Sequence, residues 1–171
     1  MKQLILGGAR SGKSHYAQQQ AELGGKKVIY IATASADDVE MAHRIALHKQ
    51  QRPTHWQLIE EPLNLSQVLQ QNDNLNHCLL IDCLTLWLSN CLALGVDEMK
   101  TQQDELLSTL SKLKSDVLLV SNEVGQGVVP ANKLARKFID ESGRLHQQLA
   151  MICEQVVFLT AGISQILKSE E

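Results

Sequence analysis

Little in the chain would tie it to a membrane, a nucleic acid or an oxidising compartment. No apolar run reaches the roughly 20 residues needed to cross a bilayer, because the longest, around 78–88, is broken by Asp82. Charge of one sign is not clustered: 16 Lys and Arg stand against 19 Asp and Glu, for a net charge of −3. That balance excludes a protein that coats nucleic acid or a membrane surface by electrostatics. The four cysteines, Cys78, Cys83, Cys91 and Cys153, include no C-x-x-C pair and sit mostly among aliphatic residues. They are expected as buried thiols of a cytoplasmic protein. The first residues run straight into an apolar strand with no cleavable signal pattern, so no targeting segment is expected. Repeats, low-complexity tracts and interdomain linkers are also lacking.

What is present is the composition of one globular domain over 1–171, 44% hydrophobic, enough for a real core and too short for two. Apolar runs at 2–6, 28–32, 78–81, 117–121 and 156–160 are continuous rather than alternating, as in strands covered on both faces. Helical patterns lie between them, at about 14–23, 38–50, 65–71, 84–94, 97–114 and 132–154. This strand-helix rhythm predicts an α/β fold with a mainly parallel sheet and helices on both faces. Pro53, Pro62 and Pro130 mark loops or the starts of elements. In such sheets ligands gather outside the carboxyl ends of the strands, so the loops that follow strands carry the functional expectation.

The loop after the first strand reads Gly7, Gly8, Ala9, Arg10, Ser11, Gly12, Lys13, Ser14, which fits G-x-x-x-x-G-K-[ST] between a strand and a helix. Its glycines let backbone amides wrap a polyphosphate, the helix N-terminus adds positive potential, and Lys13 reaches the outer phosphates. Ser14 is the expected hydroxyl ligand of Mg²⁺. Such a site also needs a carboxylate at the end of a buried strand, and Asp82 qualifies if its strand neighbours the first in parallel. The same Asp could instead cap the helix that starts near Leu84.

Met41, Arg44, Ile45 and His48 follow at spacings of three and four and share one helical face. An imidazole placed there can attack phosphorus and leave again, or it can be a hydrogen-bonded structural residue. His43, His48 and His55 match no compact zinc pattern. The segment 122–130, NEVGQGVVP, follows another strand and offers Glu123 as a second acid, or it is a plain glycine-proline turn. Trp56 and Trp87, isolated among aliphatic residues, are expected in packing, and Arg136, Lys137 and Arg144 on a solvated helix face.

Taken together, GGARSGKS at 7–14, YIATA at 30–34, the 40–62 segment with His48, Arg52 and Pro53, DCLTLWLSN at 82–90 and NEVGQGVVP resemble one family. It is the bifunctional adenosylcobinamide kinase / adenosylcobinamide-phosphate guanylyltransferase family of cobalamin biosynthesis, matched over essentially the whole chain. The resemblance implies a RecA-like P-loop NTPase fold and a homotrimer. It also implies two reactions: phosphorylation of the aminopropanol hydroxyl of a corrinoid by a nucleoside triphosphate, ATP or GTP, then transfer of GMP from GTP through a histidine. On this sequence that histidine is His48. Implied nucleotide contacts fall on Gly7, Gly8, Ala9, Arg10, Ser11, Gly12, Lys13 and Ser14, on Ala32, Thr33 and Ala34, on Lys49, Gln50, Gln51 and Arg52, and on Glu60 and Asp82. Ser14 and Asp82 are the implied Mg²⁺ ligands. His146 departs from the family pattern, which more often has Asn there. Two other functions compete, a plain small-molecule kinase with a structural His48 and a non-catalytic nucleotide-binding switch.

Overall fold

Near-continuous apolar sequence suits strands covered on both faces. All five such runs are strands: β1 (Lys2–Gly7), β2 (Lys27–Ala32), β4 (His77–Asp82), β5 (Asp116–Asn122) and β6 (Gln155–Thr160). The computed structural model describes residues 1–34 and 53–170. The expected helix at 38–50, with His43 and His48, lies outside the described residues. Two strands were not expected, β3 (Gln57–Glu60) and β7 (Ile163–Ser169). Both are sheet edges with largely exposed residues, so the apolar runs that reveal interior strands are missing from them. The sheet order is β3-β2-β4-β5-β1-β6-β7, parallel throughout except that β7 returns antiparallel to β6.

Helices α1 (Lys13–Leu23), α2 (Leu65–Gln71), α3 (Leu84–Leu94), α4 (Val96–Leu110) and α5 (Lys133–Ile152) cover the two faces unequally. On one face, Ala17 and Ala21 of α1 let that helix pack closely on Ile5, Tyr30, Leu80 and Leu118. The other four helices bury Leu4, Ile29, Leu79, Ile81 and Leu119 from the opposite side, with Trp87 fully buried. Trp87 Nε1 donates to the Leu63 carbonyl at 2.8 Å. Trp56 stacks on Tyr30 with ring centroids 6.5 Å apart, so both tryptophans are packing residues.

Helix ends depart from the periodicity for local reasons. α4 stops at Leu110 rather than 114, where the Asp73 carboxylate accepts from the amides of Lys114 and Ser115, both at 2.9 Å. α5 begins after Asn132, whose side chain accepts from the amides of Leu134 and Ala135 as an N-cap. Strand register aligns the carboxyl ends along one edge: Gly7 is opposite Asn122 and Leu159, and Ala32 is opposite Glu60 and Asp82.

Candidate active site at the carboxyl edge of the sheet

Between β1 and α1 the chain has to turn within a few residues, and glycine makes the path possible. A Cβ on Gly7 would lie 2.4 Å from the Leu159 carbonyl oxygen and 2.7 Å from Ser11 Oγ, and Gly12 has φ +96°. Across the loop, the Ser11 carbonyl accepts from the Gly162 amide at 2.9 Å, which ties the β6–β7 turn to the phosphate loop. Arg10 (φ 57°) and Ala161 (φ 52°) are the non-glycine residues in left-handed conformation among those described, one in each of these two touching turns.

Lys13 is 7% exposed and folds back onto its own loop, donating to the Gly8 carbonyl at 2.5 Å and Ser11 Oγ at 3.3 Å. Burial pulls its pKa below the ordinary lysine value, opposed in part by Cys83 and Asp82. The opposition by Asp82 reports that this carboxylate shares the electrostatic environment of the loop. Its strand does not neighbour β1, however, as the sequence argument required. β5 lies between them, so two inter-strand spacings, about 10 Å, separate the strand axes. Both strands end at the same edge of the sheet.

Asp82 does not cap α3 either. The N-cap position is Cys83, without a side-chain cap bond, while Asp82 Oδ2 accepts from the Tyr30 hydroxyl at 2.9 Å. Thr33 is fully buried. Its hydroxyl donates to the Cys83 carbonyl at 2.7 Å and accepts from the Cys83 amide at 3.0 Å, joining the loops after β2 and β4. Asn90 adds bonds to the carbonyls of Thr33 and Pro62, at 3.0 and 3.1 Å. The Thr33 side chain is therefore committed to the scaffold, and half-buried Ala32 and Ala34 flank it. Glu60 sits in register with Ala32 at the far edge of the sheet.

A polar network that the sequence did not reveal joins β5 to α3 and α5. Thr85 Oγ1 accepts from the Asn122 amide at 2.7 Å and lies 3.3 Å from Ser121 Oγ, which is 2.8 Å from His146 Nε2. His146 Nδ1 lies 3.7 Å from Glu123 Oε2. Burial holds the His146 pKa below the ordinary histidine value, with Glu123 opposing. The signal available in the sequence was a histidine one position after Leu145 on the apolar stripe of α5. Arg136 reaches back to the carbonyls of Pro130 and Ala131, at 2.9 and 2.6 Å, so it does more than solvate the helix.

The structure thus brings Gly7, Gly8, Ala9, Arg10, Ser11, Gly12, Lys13, Ser14, Asp82 and Glu123 to one edge, with Ala32, Thr33, Ala34 and Glu60 further along it. His48, Lys49, Gln50, Gln51 and Arg52 lie outside the described residues. A loop of inward amides with a buried ammonium can bind and neutralise a polyphosphate. A Ser hydroxyl and a carboxylate are hard oxygen donors of the kind Mg²⁺ takes when substrate phosphates complete its shell. No cluster of three or more acidic, His or Cys ligands occurs among the described residues.

A family model described as cobinamide kinase / cobinamide phosphate guanyltransferase matches residues 3–167. The bifunctional adenosylcobalamin biosynthesis protein CobP of Pseudomonas aeruginosa is 48% identical over 171 residues, covering 99% of each chain. CobU of Escherichia coli K12 is 37% identical over 180 residues, covering 96% of this chain and 98% of its own. Among solved structures, one from Pyrococcus horikoshii OT3 has a TM-score of 0.59 at 10% identity, covering 99% of this chain and 87% of its own. The flagellar accessory protein FlaH of Methanocaldococcus jannaschii has a TM-score of 0.51 at 14% identity, covering 99% of this chain and 78% of its own. At these identities the structural likeness speaks for the fold alone, a RecA-like P-loop architecture.

Proposed function

The chain belongs to the cobinamide kinase / cobinamide phosphate guanyltransferase family, and from that premise we propose how one phosphate loop serves two reactions. The protein is a bifunctional transferase of cobalamin biosynthesis. It phosphorylates the aminopropanol hydroxyl of adenosylcobinamide with a nucleoside triphosphate, then transfers GMP from GTP to give adenosylcobinamide-GDP and pyrophosphate. The observation that carries the shared-loop reading is the one G-x-x-x-x-G-K-S loop of the sequence, placed at the carboxyl edge with Lys13 buried in it.

In this reading the amides of the 7–14 loop and the Lys13 ammonium hold the β- and γ-phosphates and draw off the charge that develops on the departing group. Lys13 exchanges its bonds to Gly8 and Ser11 for phosphate oxygens, which supplies a better partner to an ammonium already desolvated. Ser14 and Asp82 would hold Mg²⁺, which when bound would neutralise the phosphates; Tyr30 donates to the Asp82 carboxylate. Ala32 and Ala34 contribute at the second strand end, with Thr33 as their buried anchor. His48 attacks the α-phosphorus of GTP, forming a P–N bond as pyrophosphate leaves with the electron pair, and the GMP then passes to the phosphorylated acceptor. Lys49, Gln50, Gln51, Arg52 and Glu60 serve the guanine nucleotide.

The molecule works as a cytoplasmic homotrimer in this proposal. Four free, buried cysteines suit a reducing compartment, and no described helix is long and apolar enough to cross a membrane. Ile163, Ile166 and Leu167 on β7 are more than half exposed and give a subunit contact apolar area. The intact mass of the protein after incubation with GTP and Mg²⁺ tests the central claim. A GMP-sized adduct is expected, and its absence would leave only the kinase.

A further inference from the structure

A groove of about 350 Å³ opens between the turn after β5 and the flank of α5. Its walls include Glu123, Gly125, Asp140, Gly143, Arg144 and Gln147. Glu123 links it to the nucleotide site, because its amide donates to the carbonyl of Gly7, the first loop residue, at 2.9 Å. Gly143 sits in the middle of a 20-residue helix, where glycine is the least favourable residue short of proline. A Cβ there would meet nothing within 4 Å among the described residues, so none of them requires the glycine. The room it leaves belongs to the groove.

The second observation lies behind Glu123. His146 is 7% exposed, and its Nδ1 is buried without a hydrogen-bond partner among the described residues, 3.7 Å from Glu123 Oε2. Its Nε2 lies 2.8 Å from Ser121 Oγ, and when Ser121 donates to Nε2 the proton of a neutral imidazole is on Nδ1, facing the carboxylate. The other oxygen, Oε1, accepts from the Gly125 amide at 2.5 Å. Glu123 is thus held by the Gly125 amide on one oxygen and faced by the imidazole of His146 on the other, in the wall of the groove.

We propose that this groove seats the amide-linked alcohol arm of the acceptor and that Glu123, held by His146 as a positioning residue, takes the proton of the acceptor hydroxyl in the kinase step. The inference rests on the kinase reading above. The acceptor oxygen forms a bond to the γ-phosphorus of ATP, the bond from that phosphorus to the β,γ-bridging oxygen breaks, and ADP leaves with the electron pair. The hydroxyl proton passes to the Glu123 carboxylate. Arg144 and Gln147 supply donors, and Asp140 an acceptor, for an amide group on the arm.

The test is steady-state phosphorylation of cobinamide by ATP, alongside binding of a fluorescent ATP analogue. Gly143→Leu should raise the KM for cobinamide at least tenfold with ATP affinity within twofold of wild type. Gln147→Trp, at an exposed position one turn on, fills the same groove and is read in the same way if Gly143→Leu unfolds. Glu123→Gln should lower kcat on the order of a hundredfold, the usual scale for loss of a general base. His146→Ala should lower kcat with little change in KM. His146→Asn, whose amide keeps one donor and one acceptor, should restore most of it. An unchanged cobinamide KM in both groove-filling variants overturns the seat, and full kcat in Glu123→Gln overturns the base. Failure of the wild type to phosphorylate any cobinamide while binding ATP refutes the kinase reading instead.

Discussion

Replacing Lys13 by Met separates the chemistry of the phosphate loop from its folding. In the ligand-free protein the ammonium is 7% exposed and bonded to Gly8 at 2.5 Å and Ser11 at 3.3 Å. Loss of a charge-assisted hydrogen bond costs about 1.5–3 kcal/mol, but the substitution also removes the cost of desolvating the charge, which is of similar size. Stability should therefore change by no more than about 1 kcal/mol, or about 2–4 °C in Tm for a chain of this length. Activity has no such compensation. A cation about 4 Å from a phosphate oxygen at an effective dielectric near 20 is worth about 4 kcal/mol, and mutational losses of comparable charge stabilisers run to about 2.7–4 kcal/mol. Both phosphorylation of cobinamide and labelling by α-³²P GTP should fall by about 10²–10³.

The pH dependence of stability supplies a second signature of the same residue. Burial lowers the Lys13 pKa in the folded protein below the 10.5 of the unfolded chain. Between those values the unfolded state binds the extra proton, so the contribution of Lys13 to stability rises with pH across that window, against the loss from the four buried thiols, whose burial raises their pKa values and favours unfolding at alkaline pH. The penalty is fully present below the folded pKa and gone above 10.5. In thermal melts across this range wild type and Lys13→Met share the loss from the thiols, and the wild type should lose less, so that the difference between the two midpoints shifts in favour of the wild type toward alkaline pH. Normal GTP labelling by Lys13→Met would refute the single-loop mechanism, and an unfolded variant would refute the compensation argument.

His48→Ala should lose the α-³²P label while still phosphorylating cobinamide, whereas His43→Ala should keep both; label surviving in His48→Ala would remove the nucleophile assignment. In wild type the label should survive base and disappear in acid, as a phosphoramidate does. Asp82→Asn should fold normally and shift the Mg²⁺ titration of kinase activity to higher concentration, since a neutral amide is a poorer ligand for a hard cation; an unchanged titration would make Asp82 structural. Gly7→Ala should cost at least about 1–3 kcal/mol in urea unfolding, because the atom 2.4 Å from the new Cβ is backbone and cannot rotate away. Thr33→Val should cost about 1–3 kcal/mol by leaving the buried Cys83 amide without an acceptor, and equal midpoints would show that water replaces the hydroxyl.

Elements whose determinants are local are legible in the sequence. The interior strands could be read because residues such as Leu4, Ile5, Leu79 and Leu80 are buried on both faces, and burial of that kind writes a continuous apolar run. The phosphate loop could be read because a tight strand-to-helix turn needs glycine at fixed spacing, as the contact between Gly7 and Leu159 explains. β3 and β7 could not, since an edge strand with exposed residues borrows its conformation from the strand it joins. The end of α4 was hidden for a related reason: the carboxylate that captures Ser115 belongs to Asp73, in another part of the chain.

By itself the sequence determined the α/β class, the placement of the nucleotide loop and, by resemblance, the family, because each depends on residues adjacent in the chain or on a motif of fixed spacing. Tertiary structure alone decided that β5 intervenes between the loop strand and Asp82, that Thr33 is an anchor rather than an open contact, and that Gly162 meets Ser11. It also decided that Thr85, Ser121 and His146 form one network leading to Glu123. Those relations join positions that are far apart in sequence, and strand order and helix packing bring them together only once the whole sheet has assembled. Hydrogen-bond geometry between such residues has no periodicity for a sequence to display.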